Sequence, residues 1–412
     1  MAARPVDYLL IGGGVATASC LKTLREEGVD GSIAVVAREA DPPYFRPALS
    51  KDYLAGKAQR EDEYDPPSGW YEENGVELLA RTSVLKLDTE ERVAKLSSRE
   101  ELSFGKALLA TGANVRRLRA DGGDLEGIHY LRAFGNADAI RTEAEQAESV
   151  VMIGGSFIAC EVAATLTSLG RKCSLVMQEE VTFERQFGRE VGGFFQRVME
   201  EHGVEVHGGQ DLARYEGSSG RVERVVTTGG LELDCGVVVV GAGVMPDTML
   251  ARASGLELGA AGGVRCSDRL ETAVEGLFVA GDMAEFDSLL HGAPARIEHW
   301  DVAWQHGKTA ARNMAGRDVP HEALPYFWSD LADWTGLEYV GAGRAAGDPV
   351  VRGSLDDGSF SAWGLAEDGR VVSCVAVGGG SGDLDEARRL IRERAKADAA
   401  ALADESTELA GL

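Results

Sequence analysis

The sequence of 412 residues has no closely spaced cysteine pair and no long apolar run. Its six cysteines form no C-x-x-C or C-x-x-x-x-C motif and its histidines lack ligand spacing, so we expect neither a redox dithiol nor a metal site. We expect most of the cysteines to be small buried apolar residues. No stretch of about 18 apolar residues occurs, and the amino terminus lacks a signal-peptide pattern, so we expect a cytoplasmic protein.

An excess of basic residues is also absent. The chain has 42 Lys and Arg against 67 Asp and Glu, a formal net charge of −25. Approach to nucleic acid or to an anionic membrane would therefore add like-charge repulsion. We expect neither as a partner, although a local basic patch could still bind an acidic protein.

The first recognisable unit is strand, glycine turn, helix and strand. VDYLLI leads into GGG at residues 12–14, an amphipathic stretch over residues 15–27 and a second strand ending at Glu39. The glycines allow a tight turn close to a pyrophosphate, which a helix amino terminus favours, and Glu39 can reach an adenosine ribose. Taken alone, such a turn is more often structural than nucleotide-binding.

A second unit repeats this order. Residues 150–153 read as a strand, GGS at residues 154–156 as the turn, residues 157–169 as a helix and residues 172–177 as the next strand. Ser156 replaces the middle glycine of G-x-G-x-x-G, but its hydroxyl could donate a hydrogen bond to a phosphate. The ribose-binding acid would be Glu179 or Glu180. Two such units imply two dinucleotides.

Three more buried strands end in glycine turns, in KALLATGAN, VVVVGAGVMPDT and GLFVAGDMAEF. From about Pro325 the pattern changes to alternating strands, followed by one charged amphipathic helix over residues 384–402. This pattern predicts an α+β carboxyl-terminal domain with a frayed tail.

Together the motifs resemble, over nearly the entire chain, the FAD-dependent pyridine-nucleotide reductases that lack a redox disulfide. This group contains the ferredoxin and rubredoxin reductases of oxygenase systems and the apoptosis-inducing factor family. The most specific stretch is PPYFRPALSK at residues 42–51, which is similar to the group's flavin-contacting segment. Arg46 and Lys51 lie where related disulfide reductases carry a cysteine pair, so the resemblance excludes a dithiol relay.

The resemblance implies FAD in the first turn and NADH in the second. The implied FAD contacts are Gly12, Gly14, Glu39, Arg46, Lys51, Thr111, Gly112, Asp282, Glu298, His299 and Trp328. The implied NADH contacts are Gly154, Gly155, Ser156, Phe157, Ile158, Glu161, Glu179 and Gly241. A carboxylate suits two ribose hydroxyls and repels a 2′-phosphate, so we predict NADH rather than NADPH.

Some of these residues have simpler interpretations. Asp282 could cap a helix. Trp300 and Trp304 could equally be core residues, whereas we favour Trp328 as a wall beside the flavin ring.

By the same resemblance, the catalytic residues would be Lys51, Glu161, His299 and Trp328. Lys51 and Glu161 are predicted to form an ion pair at the flavin's reactive edge, where hydride passes from NADH C4 to flavin N5. From spacing alone, Glu161 would be a helix-surface glutamate and Lys51 a solvated lysine, so this prediction depends on the resemblance.

The resemblance leaves two functions open. One is an NADH-dependent reductase that passes electrons to an acceptor, such as a ferredoxin, a rubredoxin, a Rieske-type iron–sulfur protein or a quinone. The other is a redox sensor resembling apoptosis-inducing factor, with a long-lived charge-transfer complex and NADH-controlled homodimer formation. Glu298 and His299 favour the sensor, whereas the compact carboxyl-terminal domain favours the reductase.

The predicted fold is α/β, with two Rossmann-like dinucleotide-binding domains and an α+β carboxyl-terminal domain. Residues 1–115 and 246–324 would form the discontinuous FAD domain, residues 116–245 the inserted NADH domain and residues 325–400 the carboxyl-terminal domain. Residues 401–412 would be the frayed tail.

Overall fold

The computed structural model describes residues 3–412. The α-helices in this range are α1 (Val15–Glu26), α2 (Ser68–Glu73), α3 (Phe134–Ala144), α4 (Phe157–Ser168), α5 (Glu184–Glu201), α6 (Met249–Ala253), α7 (Trp300–Met314), α8 (Ser381–Arg392) and α9 (Ala399–Ala403). None of the helices in this range is long and apolar enough to cross a membrane.

The strands are short and numerous. Those before residue 150 are β1 (Arg4–Ile11), β2 (Ile33–Val36), β3 (Val76–Leu79), β4 (Val84–Asp88), β5 (Val93–Leu96), β6 (Glu101–Leu109), β7 (Ala113–Val115), β8 (Ile128–His129) and β9 (Ser149–Ile153). The next are β10 (Lys172–Val176), β11 (Glu205–His207), β12 (Leu212–Ser218), β13 (Arg221–Thr227), β14 (Glu232–Asp234), β15 (Val237–Val240), β16 (Val244–Pro246), β17 (Val264–Cys266), β18 (Leu277–Val279), β19 (Ala284–Ser288) and β20 (Ala293–Ala295). The last are β21 (Tyr326–Leu331), β22 (Thr335–Gly341), β23 (Val350–Ser354), β24 (Ser359–Leu365) and β25 (Val371–Val377).

The chain forms two compact units. The first comprises the residues up to Phe45, Arg60–Asn114 and Val244–Pro325, and the second comprises Arg46–Gln59, Val115–Gly243 and Tyr326–Leu412. The division of the chain into three functional domains stays a prediction.

The first unit is organised around a sheet in which β3, β2, β1 and β6 run parallel in that order. β18 also pairs in parallel with the carboxyl-terminal half of β6. Apolar residues on these strands, such as Leu9, Leu10 and Leu108, are fully buried in one core. Helix α7 approaches α1 closely at Gly307, where a Cβ would lie 2.3 Å from the Ala16 carbonyl oxygen.

The second unit contains a parallel sheet in the order β11, β10, β9, β15 and β8. It also contains an antiparallel sheet in the order β21, β22, β25, β24 and β23. The predicted α/β fold with two dinucleotide-binding βαβ units and an α+β carboxyl-terminal part is therefore confirmed.

The predicted single helix over residues 384–402 is wrong. The structure ends α8 at Arg392, and Arg394 adopts a left-handed conformation with φ of 53°. Lys396 then pairs with Arg370, next to β25, before α9 begins at Ala399. Backbone pairing to the sheet therefore replaces helix in this stretch.

The segment predicted as a frayed tail, residues 401–412, makes specific contacts in the structure. The guanidinium of Arg352 donates hydrogen bonds to the carbonyl oxygens of Asp404, Glu405 and Thr407. Leu402 and Leu409 are buried. Polar and apolar contacts therefore hold the tail against the rest of the second unit.

Candidate functional site

The first glycine turn lies at the carboxyl edge of the parallel sheet of the first unit. The register aligns Ile11 of β1 with Leu109 of β6, and Leu109 with Val279 of β18. The segments that follow these three strands carry Gly12 and Gly14, Thr111 and Gly112, and Asp282, respectively. The predicted FAD contacts in this unit therefore gather at one sheet edge, which is where open α/β sheets bind ligands.

The turn itself has room for a phosphate. Gly12 has φ of 131°, and a Cβ there would lie 2.1 Å from the Ala110 carbonyl oxygen, so only glycine fits. Gly14, the N-cap of α1, has no atom of the described residues within 4 Å of its would-be Cβ. The first turn of α1 contains no acidic side chain. An uncapped helix amino terminus facing open space fits the pyrophosphate of FAD.

The other predicted FAD contacts in this unit are held by their neighbours. The Glu39 carboxylate accepts a hydrogen bond from the Tyr44 hydroxyl at 2.8 Å. The Thr111 hydroxyl donates to the Asp247 carbonyl oxygen at 2.6 Å. Asp282 lies inside a short 3-10 turn, Gly281–Met283, whose N-cap is Ala280. Asp282 is therefore not a helix cap.

Glu298 and His299 immediately precede α7, and His299 is its N-cap. Glu298 is exposed and forms an ion pair with Arg296. Burial lowers the pKa of His299 to about 4. His299 is therefore neutral at pH 7 and would supply a ring face rather than a positive charge.

The second glycine turn repeats this geometry within the second unit. Gly154 has φ of 124°, and a Cβ there would lie 2.5 Å from the carbonyl oxygen of Gly241, which follows the neighbouring strand β15. A Cβ on Gly155 would lie 2.3 Å from the Met177 sulfur. The structure therefore brings Gly154, Gly155 and Gly241 together; only glycine fits at Gly154, and a side chain at Gly155 would have to displace the Met177 side chain.

Ser156 does not disturb the turn. Its φ of −115° and ψ of −171° resemble the −109° and −176° of Gly14, so no glycine-specific conformation is required. Its hydroxyl accepts a hydrogen bond from Gln186 at 3.1 Å and does not cap α4. The first turn of α4 contains no acidic side chain, so its backbone N–H groups suit a phosphate.

The strand register distinguishes Glu179 from Glu180. Ile11 pairs with Val36 in the first unit and Ile153 pairs with Val176 in the second, so Glu179 is the counterpart of Glu39. Glu180 instead lies next to Gly208 and Gly209. Of the two acids left open by the sequence, Glu179 is therefore the one whose position corresponds to that of Glu39.

The ion pair predicted between Lys51 and Glu161 is present. Lys51 Nζ lies 2.8 Å from Glu161 Oε2, and Glu161 is only 6% exposed. Interpretations of Glu161 as a surface residue and of Lys51 as a solvated one are therefore wrong. The structure joins the end of the PPYFRPALSK segment to the helix that starts at the second glycine turn.

Two serines that the sequence interpretation missed complete this arrangement. The Ser50 hydroxyl donates to Glu161 Oε2 at 2.5 Å, and the Ser329 hydroxyl donates to Oε1 at 2.6 Å. Thr165, one helical turn further along α4, donates to the Ser50 carbonyl oxygen at 2.7 Å. Both oxygens of the carboxylate are thereby fixed. We call Lys51, Glu161, Ser50 and Ser329 the carboxylate cluster.

Trp328 lies on the opposite face of β21 from the carboxylate cluster. Successive side chains of a strand alternate between faces. Phe327 and Ser329 contact Phe157 and Glu161 of α4, whereas Trp328 stacks on Tyr326 with ring centroids 6.1 Å apart. The structure therefore does not bring Trp328 to Glu161.

Other predicted contacts around α4 differ in exposure. Phe157 packs against Phe327 with ring centroids 5.0 Å apart, whereas Ile158 is 37% exposed at the start of the helix.

Arg46 donates a hydrogen bond to the Arg132 carbonyl oxygen at 2.8 Å. Burial raises the pKa of Asp330, which follows Ser329, while the charge of Lys51 opposes that shift.

Comparison with known proteins gives the family. Residues 6–307 match the pyridine nucleotide-disulphide oxidoreductase family, and residues 326–412 match the reductase C-terminal family. The chain belongs to the pyridine nucleotide-disulphide oxidoreductase family. The oxidoreductase is 33% identical over 419 residues to the ferredoxin–NAD(+) reductase component of an anthranilate 1,2-dioxygenase system from Burkholderia cepacia, with 99% of each chain covered.

Two solved structures of reductases are also similar to this chain. The oxidoreductase is similar to the ferredoxin reductase of the CYP199A2 system from Rhodopseudomonas palustris, with a TM-score of 0.92, 30% identity and coverage of 98% and 99% of the two chains. It is also similar to a structure described as the covalent putidaredoxin reductase–putidaredoxin complex, with a TM-score of 0.91, 29% identity and coverage of 99% and 98%.

These findings confirm the predicted family, the assignment as an oxidoreductase, and FAD and NADH as cofactors. The six cysteines of this oxidoreductase are free and buried. Burial raises the pKa of Cys160, next to Glu161, well above its usual value, so its thiol stays protonated. No disulfide joins any two of these cysteines in the structure.

Proposed function

We propose that this oxidoreductase takes hydride from NADH and delivers the electrons to a ferredoxin-type iron–sulfur protein. The ferredoxin reductases among its relatives support this acceptor class, as does the compact carboxyl-terminal part that the chain shares with them. Rubredoxins, Rieske-type proteins and quinones are the other candidate acceptors.

FAD, when bound, supplies the chemistry that connects a two-electron donor with a one-electron acceptor. The first unit would hold its pyrophosphate at Gly12 and Gly14 and its adenosine ribose at Glu39. Thr111, Gly112 and Asp282 lie at the same sheet edge and would contact the rest of the group. The predicted FAD contacts of Arg46, Lys51, Trp328, Glu298 and His299 stay predictions.

The second unit would hold NADH. Gly154, Gly155, Ser156 and Gly241 would surround its pyrophosphate, and Glu179 would accept hydrogen bonds from the adenosine ribose. Phe157 and Ile158 start the helix and would line the path towards Glu161. The nicotinamide amide would be oriented by the Glu161 carboxylate.

The observation that carries the proposal is the carboxylate cluster. A nucleotide turn alone requires no buried charge deep in its helix, yet Glu161 is buried, paired with Lys51 and bonded to two hydroxyls. Burying an ionised carboxylate is costly unless it is paired and hydrogen-bonded. We propose that Lys51 and Glu161 provide a fixed charge arrangement that favours close approach of the nicotinamide for hydride transfer.

The test is steady-state turnover of the FAD-loaded protein with NADH and a panel of acceptors. The panel would contain a [2Fe–2S] ferredoxin, a rubredoxin, a Rieske-type protein and a soluble quinone. We expect the ferredoxin to give the highest kcat/KM. Equal, slow turnover with every acceptor would contradict the proposed acceptor class.

The same samples test the sensor function. A long-lived coloured complex after NADH addition, together with a change from monomer to homodimer in size-exclusion chromatography, would favour a redox sensor instead. Homodimer formation and a cytoplasmic location stay predictions.

A further inference from the structure

We propose that Arg185 determines how strongly this oxidoreductase discriminates NADH from NADPH. In this proposal Glu179 holds Arg185, and loss of the Glu179 charge releases the guanidinium to bind the 2′-phosphate of NADPH. The inference rests on the proposed function, because it takes the second glycine turn as the NADH site.

Arg185 directly contacts the carboxylate that occupies the ribose-binding position. Its Nε forms an ion pair with Glu179 Oε1, and its Nη2 donates to the Gln178 side-chain oxygen at 3.4 Å. A group that contacts this carboxylate is also within reach of a substituent on the ribose that the carboxylate binds. The guanidinium therefore lies close enough to the ribose 2′ position to affect specificity.

The two partners differ in exposure. The Glu179 side chain is 19% exposed, whereas that of Arg185 is 68% exposed. The adjacent Gln186 donates a hydrogen bond to Ser156 in the phosphate-binding turn, so the backbone of this segment is fixed beside the nucleotide site. Arg185 can therefore change partners by side-chain rotation alone.

Glu184, the acid that precedes Arg185 in the chain, already has other partners. It is paired with Arg189 at 2.8 Å and accepts hydrogen bonds from the backbone of Glu180 and Val181. Glu184 is therefore already engaged when Arg185 is released from Glu179.

The electrostatics give the direction of the effect. An unpaired glutamate at this position would repel a 2′-phosphate. An arginine prefers phosphate, which its planar guanidinium can bind through two parallel hydrogen bonds. The ion pair with Arg185 partly cancels the repulsion between Glu179 and a 2′-phosphate. Glu179 therefore produces the preference for NADH, and Arg185 reduces the size of that preference.

The test is binding of NAD(+) and NADP(+) to the FAD-loaded protein by isothermal titration calorimetry. The two nucleotides differ only in the 2′-phosphate, and neither reduces the protein. For the Glu179→Gln variant we expect the Kd ratio to shift towards NADP(+) by about tenfold or more. Addition of Arg185→Ala to this variant should abolish the shift, and Arg185→Ala alone should strengthen the preference for NAD(+).

Arg189→Ala is the matched control, because Arg189 is an exposed, ion-paired arginine on the same segment. It should leave the Kd ratio unchanged. An unchanged ratio in Glu179→Gln, or a shift that persists without Arg185, would overturn the inference while leaving the proposed function intact. If NADH failed to bleach the flavin of the wild type, the proposed function would fail and the inference with it.

Discussion

At the scale of single residues, Glu161 is both a buried, hydrogen-bonded residue of the fold and the carboxylate proposed to assist hydride transfer. Its carboxylate lies on α4, five residues after Ser156, and is bonded to residues from two distant parts of the chain. Buried groups arranged in this way are fixed before substrate arrives, which is how charged side chains contribute most to catalysis.

The first prediction concerns the charge of Glu161. Glu161→Gln keeps the size of the side chain but removes the charge that pairs with Lys51 and replaces one of the two accepting oxygens by an NH2 donor. We expect NADH-driven bleaching of the bound flavin to slow by at least about tenfold, which is about 1.4 kcal/mol in the barrier. Rapid mixing measures the rate, and the FAD content of the purified variant should match that of the wild type.

Glu190→Gln is the control for this variant, because Glu190 is an exposed carboxylate on α5. It should leave the bleaching rate unchanged. A wild-type rate in Glu161→Gln would remove Glu161 from the proposed mechanism.

The second prediction concerns Ser156. The residue has the backbone conformation of its glycine counterpart Gly14, and its hydroxyl has a partner in Gln186. Ser156→Gly should therefore change the NADH Kd by less than about threefold, which is below 1 kcal/mol. Fluorescence titration with NADH checks this, and a change of tenfold or more would show that the hydroxyl itself acts on the nucleotide.

The sequence predicted those parts of the site that lie in one short segment better than those that bring together residues far apart in the chain. The turns at Gly12 and Gly154 are local patterns and could be read directly. The Lys51–Glu161 pair was predicted only from the resemblance, because nothing in residue spacing joins positions so far apart. Ser50 and Ser329 were missed, although strand alternation in YFWSD places Ser329 and Trp328 on opposite faces.

At the scale of elements, the two βαβ units were predicted to within three residues, because strand, glycine turn and helix each leave a local signal. The carboxyl-terminal segment was predicted less well. Its charged stretch has a helical pattern, but Lys396 pairs beside β25 and interrupts the helix. Tertiary pairing of this kind overrides helix propensity and leaves no periodic signal.

The third prediction tests the docking of the tail. Arg352 donates to three tail carbonyl groups, and its side chain is only 12% exposed. Arg352→Ala should lower the free energy of unfolding by about 1–3 kcal/mol, because it removes the hydrogen bonds that a charged guanidinium donates to the tail and the ion pair with Asp383. Urea denaturation measures the change.

Arg392→Ala is a suitable comparison, since Arg392 is an exposed arginine at the end of α8. It should cost less than about 1 kcal/mol. Equal losses in the two variants would mean that the tail is not held by Arg352.

At the scale of the whole molecule, the sequence predicted the fold class and the family but not the composition of the compact units. The segment Arg46–Gln59 belongs to the second unit although its neighbours on both sides belong to the first. The first crossing lies within PPYFRP at residues 42–47, whose prolines were interpreted as part of a flavin-contacting segment and not as a boundary.

The fourth prediction is acid sensitivity of the folded state. Burial lowers the pKa of His299 and of His321 to about 4 and that of His306 well below its usual value. Between about pH 6.5 and 4 the unfolded chain binds protons at these positions and the folded chain does not, so stability falls as the pH falls. The slope is up to about 1.4 kcal/mol per pH unit for each histidine.

Urea denaturation at a series of pH values measures this slope. His321→Gln should reduce it, whereas His202→Gln, at an exposed histidine, should not. A His321→Gln variant with the full wild-type slope would contradict the assignment of this proton uptake to His321.

In the proposed function, NADH reduces this oxidoreductase and a ferredoxin-type protein reoxidises it. The most direct measurement is double mixing: NADH is first added to the FAD-loaded protein under anaerobic conditions, and an oxidised [2Fe–2S] ferredoxin is added once the flavin absorbance has bleached. We expect rapid bleaching, then recovery of the flavin absorbance in step with ferredoxin reduction. A reduced, coloured complex that persists unchanged in the presence of ferredoxin would contradict it.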